Sequence, residues 1–196
     1  DDLRVPDKLT LQSINKVFTE IYDAWNSDTF FSLIKAFELP TNNQIKTFSR
    51  GMRMKAALTI ALSHDAKLLI LDEATAGMDV SGREHVLEIL EDYLGDDRAI
   101  LISSHISEDI EQLATQLVFM RDGRIILKES KEVLLSQYGI IDQPVEHFNI
   151  SNEYLIATRR RNDRQISLVN NYQKVPDAQP LKTIDDATKI IMRGEV

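Results

Sequence analysis

The sequence predicts an α/β fold with a parallel-sheet core, a small helical unit on its N-terminal side and a small α+β appendage on its C-terminal side. Three observations carry this. Short apolar runs of strand length, Leu68–Leu71 and Ala99–Ser103, alternate with stretches of helical periodicity. The first run ends in Asp72-Glu73, as a strand buried on both faces of a parallel sheet would end at its polar tip. Residues 1–45 hold only helical patterns, and the character changes again after Pro144.

Taking the elements in order, Thr10 can cap a first helix whose apolar stripe is Leu11, Ile14, Phe18, Ile21 and Tyr22. Asn26 or Ser27 opens a second, with Phe30, Leu33, Ile34 and Phe37 on one face and Pro40 as its stop. Ser49 is the expected N-cap of a third, burying Met54, Ala57, Leu58, Ala61 and Leu62. The Leu68–Leu71 strand follows, then a helix from about Ser81 to Leu94 stopped at Gly95, the Ala99–Ser103 strand, and a helix from about Ser107 to Ala114. Asp122-Gly123 between Leu117–Met120 and Arg124–Leu127 marks a hairpin, and a helix from Ser130 to Tyr138 closes at Gly139. Beyond Pro144, Tyr154–Thr158 and Gln165–Val169 read as strands and Thr183–Arg193 as a helix, with Asp185 and Asp186 in its first turn. The expected division is therefore a partial domain over residues 1–142 and an accessory region over residues 143–196. Within the first, residues 1–45 form a helical subdomain and residues 46–142 the α/β portion.

Composition narrows the function. With 43% hydrophobic and 28% charged residues over 196 positions, the chain is globular rather than disordered. A net charge of −8 argues against a broad nucleic-acid-binding face. The basic run Arg159, Arg160, Arg161, Arg164 reads as a solvated strand or turn. The absence of cysteine excludes disulfides and thiolate metal sites, and the four histidines show no metal-ligand spacing. No apolar run approaches the ~20 residues of a membrane span, and the first residues have no signal-peptide pattern.

The chemistry is concentrated in three places. A carboxylate at the C-terminal tip of a central strand sits where nucleotides bind in open α/β sheets; Asp72 there suits Mg²⁺, and Glu73 suits the orientation and deprotonation of a water. Phe48-Ser49-Arg50-Gly51-Met52 opens a helix whose free N–H groups suit a phosphate. Ala76-Gly77-Met78-Asp79 follows the carboxylates, and Ser103-Ser104-His105 ends the next strand, where a histidine can reach a terminal phosphate.

The order Ser-x-Gly, helix, apolar strand, Asp-Glu, Gly-x-Asp, strand, Ser-His resembles the ABC ATPase family over about residues 1–140. Phe48, Ser49, Arg50, Gly51 and Met52 resemble its signature motif, Leu68–Asp72 its Walker B strand, Glu73 its catalytic carboxylate, Ala76–Asp79 its D-loop and His105 its switch histidine. The resemblance implies a P-loop NTPase-like core. It also implies ATP and Mg²⁺ as ligands, with Asp72 on the metal and with Phe48–Met52 and Asp79 serving the ATP of a second nucleotide-binding subunit. A transmembrane permease partner and a place at the cytoplasmic face of the membrane are implied too. Residues 143–196 resemble the C-terminal extension of some bacterial exporter ATPases. Arg50 and Met52 depart from the usual Gly and Gln of the signature, and Ala74 replaces a common Pro. None of the seven glycines lies in a Gly-x4-Gly-Lys-Ser/Thr loop. Residue 1 reads as beginning just after the family's Gln loop, so the expectation is a truncated piece without its own phosphate loop, inactive alone. Two other readings are open: a soluble ABC ATPase outside transport, and a non-catalytic module whose motifs serve only a partner.

Overall fold

The computed structural model describes residues 3–195. The chain divides into two compact units, one ending at Ile106 and one beginning at Ser107.

The first unit opens with helix α1 (Leu11–Ile21) and helix α2 (Ser27–Ala36). Thr10 and Ser13 form a reciprocal capping box, and Asn26 accepts the Thr29 amide, so both starts are fixed by local side chains. Leu11, Ile14, Phe30, Ile34 and Phe37 are buried as their spacing predicts. The predicted stripe of α1 fails at its end, where Ile21 and Tyr22 are exposed. There Tyr22 instead stacks edge-on against His64, which also meets Trp25.

Helix α3 (Arg50–Leu62) starts on Ser49, whose Oγ accepts the Met52 amide at 3.2 Å. Its buried face is Ala56, Leu58, Thr59 and Leu62, rotated from the predicted one: Ala57 and Ala61 are only half-buried. Thr59 tolerates burial because its hydroxyl donates to the Lys55 carbonyl at 2.8 Å.

Strands β1 (Leu68–Asp72) and β2 (Ala99–Ser103) pair in parallel, Leu68 opposite Ala99 through Asp72 opposite Ser103, with helix α4 (Val80–Tyr93) as the crossover. The Tyr93 hydroxyl donates to the Ala66 carbonyl, tying the end of α4 to the entry of β1. Burial on both faces is not what the structure has. Leu69 is 5% exposed, but Ile70 is 71% and Leu101 60% exposed, so only one face of the pair is covered among the described residues.

The second unit holds helix α5 (Ser107–Leu113), hairpin β3 (Gln116–Arg121) and β4 (Arg124–Ser130), and helix α6 (Lys131–Gln137). It continues through β5 (Gly139–Pro144), β6 (Leu155–Arg161), β7 (Arg164–Val169), β8 (Gln179–Pro180) and helix α7 (Ile184–Arg193). Its larger sheet is antiparallel, ordered β6-β7-β5-β8. Parallel pairing in the described residues is thus confined to β1 and β2.

Strand β5 carries no expectation from the sequence, and the expected boundary at 142/143 falls inside it. Six residues of β5 pair with β7, so a cut there would break one ladder. Gly139 is needed at its start because a Cβ would come within 2.4 Å of the Tyr172 Cβ and 2.5 Å of the Gln179 carbonyl oxygen. The core of the unit gathers Leu117, Phe119, Leu134, Leu168, Ile184 and Ile191 among others.

Candidate functional site

The parallel register of β1 and β2 sets Asp72 beside Ser103. The Ser103 hydroxyl donates to Asp72 Oδ1 at 2.5 Å and accepts the Glu73 amide at 3.1 Å. The same amide also donates to the Ser103 carbonyl at 3.1 Å. Ser103 thereby fixes both the metal-suited carboxylate and the backbone of its neighbour.

Glu73 adopts a left-handed backbone with φ of +50°. This is a conformation that costs a non-glycine residue of order 1 kcal/mol. The turn swings its N–H back onto Ser103 and its carboxylate toward His105, whose Nδ1 lies 2.5 Å from Glu73 Oε2. Glu73 Oε1 remains for another partner. The Glu73 side chain is 31% and that of His105 72% exposed, so the pair stands at the surface.

A second group forms at the start of α3. Ser49, Arg50, Gly51, Met52 and Lys55 line a hollow of about 370 Å³ together with Phe37, Gly77, Met78 and Asp79. Phe48, the first residue of the predicted motif, is buried at 6% exposure beneath this turn and does not line the hollow. Gly77 has φ of +78°, and the Arg50 side chain lies against the space a Cβ would fill, its Nε at 3.4 Å and Cζ at 3.5 Å. Asp79 precedes α4 as its N-cap residue but makes no side-chain capping bond. The larger hollow of about 580 Å³, walled by Trp25, Tyr93 and Arg98, contains none of the predicted residues.

The structure therefore brings the predicted residues together as two groups in one unit. Asp72, Glu73 and His105 meet at the tips of β1 and β2. Ser49–Met52 and Asp79 share the hollow at the start of α3. Three contributors have no individual role in the sequence reading. Ser103 was legible in principle, because any in-register parallel pairing of the two runs sets it across from Asp72. Lys55, one turn into α3, and Phe37, from the end of α2, had no local signal.

For a magnesium ion the donor set is of the right kind. Asp72 and the Ser103 hydroxyl offer hard oxygen ligands at an exposed strand tip, as an ion that keeps waters and phosphate oxygens in its shell requires. Among the described residues no group of three or more His, Cys, Asp or Glu could hold a metal by itself.

A strand-tip carboxylate pair on a parallel βαβ crossover stands at the end of the sheet where open α/β proteins bind their ligands. Residues 5–76 match the family model described as ABC transporter. The chain is 37% identical over 116 residues to the lantibiotic transport ATP-binding protein SrtF of Streptococcus pyogenes, covering 59% of this chain and 47% of that protein. It is 32% identical over 93 residues to the ABC transporter ATP-binding protein NatA of Bacillus subtilis (strain 168), covering 47% of this chain and 38% of that one. Among solved structures, an ATP-binding subunit of an ABC transporter superposes with a TM-score of 0.61 at 22% identity, over 68% of this chain and 58% of that chain. Over these stretches the chain is similar to ATP-binding proteins of ABC transporters, and it spans about half or less of the length of these relatives.

Proposed function

We propose that this chain is the later portion of an ATP-hydrolysing subunit that drives an exporter, and that its two groups of residues act on two different nucleotides. The observation that supports this most is the joining of Asp72, Glu73 and His105 at the tips of a parallel strand pair. In this reading Glu73 Oε1 accepts a proton from a water as the water oxygen attacks the γ-phosphorus of ATP; the bond from that phosphorus to the β,γ-bridging oxygen breaks, and ADP leaves. His105 holds the other Glu73 oxygen, which aims the base. Asp72, held by Ser103, would bind Mg²⁺, which supplies neutralisation of the phosphate charge when present. Ser49, Gly51 and Asp79 face the ATP of a second nucleotide-binding subunit, and the helical portion of the first unit serves a transmembrane permease at the cytoplasmic face of the membrane.

The family names among the relatives favour export. SrtF is named for lantibiotic transport, and another relative, LnrL of Bacillus subtilis, for linearmycin resistance. The test is magnesium-dependent phosphate release by the 196-residue chain and by the longer subunit, each with and without Glu73→Gln. The chain alone is expected at background, because it contains no phosphate loop of its own. In the longer subunit, Glu73→Gln is expected to lower turnover by about 10²- to 10⁴-fold while ATP stays bound. Turnover near wild type in that variant contradicts the assignment of Glu73.

A further inference from the structure

One hydroxyl holds two adjacent acids. The Ser103 Oγ–H donates to Asp72 Oδ1 at 2.5 Å, and the same Oγ accepts the Glu73 amide at 3.1 Å. A hydroxyl carries one proton and two lone pairs, so both bonds form at once. Donation to a carboxylate polarises the oxygen and strengthens its acceptance of the amide. Side-chain packing does not orient Asp72 in its place. In-register pairing puts Asp72 and Ser103 on the same face as Ile70 and Leu101, which lie open at 71% and 60% exposure.

The second bond falls on the turn that aims Glu73. That residue sits at φ of +50°, a conformation that a side chain disfavours. Its amide is shared between the Ser103 carbonyl and the Ser103 hydroxyl, each at 3.1 Å. Removing the hydroxyl leaves the carbonyl bond and the ladder from Leu68 opposite Ala99 to Asp72 opposite Ser103. The strand pair therefore persists without it, while Asp72 and the Glu73 turn each lose a contact.

We infer that Ser103 is a positioning residue that sets the Asp72 carboxylate and the Glu73 turn together, so that neither acid moves independently of the other. This rests on the proposed roles of Asp72 and Glu73. It adds that a hydroxyl on the neighbouring strand governs how much Mg²⁺ the site requires, as groups that orient a metal's ligands do.

The test compares wild type with Ser103→Ala and Ser103→Thr in two measurements. Threonine keeps the hydroxyl, and its methyl has room because Ser103 is exposed. The first measurement is hydrogen exchange of the Glu73 amide in the 196-residue chain, followed by nuclear magnetic resonance. Exchange is expected to be roughly tenfold faster in Ser103→Ala and unchanged in Ser103→Thr. Unaltered exchange along β1 and β2 shows that the ladder is intact. The second is the Mg²⁺ concentration for half-maximal phosphate release by the longer subunit. It is expected to rise about tenfold in Ser103→Ala and to return in Ser103→Thr. If Ser103→Ala changes the Mg²⁺ requirement but not Glu73 exchange, Ser103 serves the metal alone and the coupling is overturned. Faster exchange with an unchanged Mg²⁺ requirement, or failure of threonine to restore either quantity, overturns it as well. The reading of Glu73 as the base fails separately, on wild-type turnover in Glu73→Gln, which leaves the exchange result as it stands.

Discussion

Asp72 and Glu73 are sequence neighbours with different partners because the chain turns left-handed between strand and loop. Asp72 ends the ladder and takes the Ser103 hydroxyl, while Glu73, at φ of +50°, points to His105. The two acids and the histidine could be singled out from residue type and strand position alone. Ser103 could not, since its role follows from register rather than from type. The same is true of a second hydroxyl, in the C-terminal unit. Tyr138 is buried and donates to Glu129 Oε2 at 3.2 Å; burial first, and the adjacent Glu129 charge second, push its pKa up to about 12. Between pH 10 and 12 the unfolded chain therefore releases this proton and the folded chain keeps it. By linkage, stability present below pH 10 declines as pH rises through that window. Ultraviolet titration should show one of the five tyrosines ionising last, and Tyr138→Phe should remove that late step and flatten the alkaline loss of stability. Loss of amplitude near pH 10 instead would contradict the burial argument.

At the scale of elements, the readable ones announce their own ends. The Asp122-Gly123 turn has both residues at positive φ, as a tight hairpin demands, and β3 and β4 pair across it. Helix α7 has Thr183 accepting the Asp186 amide at 3.2 Å and acids in its first turn, and it buries Ile184, Ala187, Ile190 and Ile191. Strand β5 was hidden because it begins at Gly139, which reads as a helix stop, and ends at Pro144, which reads as a break. Neither residue signals a strand between two others. The last turn of α7 depends on a distant residue: Arg121 Nη1 donates to the carbonyls of Ile191 at 2.6 Å and Gly194 at 2.5 Å. These are carbonyls that a helix end leaves without partners. Arg121→Ala is expected to cost about 1.5–3 kcal/mol, as for hydrogen bonds to a charged group, measured by urea denaturation. An unchanged midpoint would show that water replaces Arg121 without loss.

On the scale of the whole molecule, α/β alternation predicted the fold class well and its extent less well. Apolar runs of equal quality gave a parallel pair in one unit and antiparallel ladders in the other, because hydrophobicity marks a strand without naming its partner. The burial of Leu68–Leu71 was overestimated for a related reason. An apolar run shows that a strand can be covered on both faces, whereas Ile70 and Leu101 lie open here. The two candidate groups of residues come together despite these errors because they depend on two strand tips and two helix starts, all in the first unit. On this view Glu73 and His105 act as one device. A double-mutant cycle on phosphate release by the longer subunit, using Glu73→Gln, His105→Ala and the pair together, tests this most directly. Coupled residues predict that the double variant is no slower than Glu73→Gln alone, whereas losses that multiply would contradict the coupling.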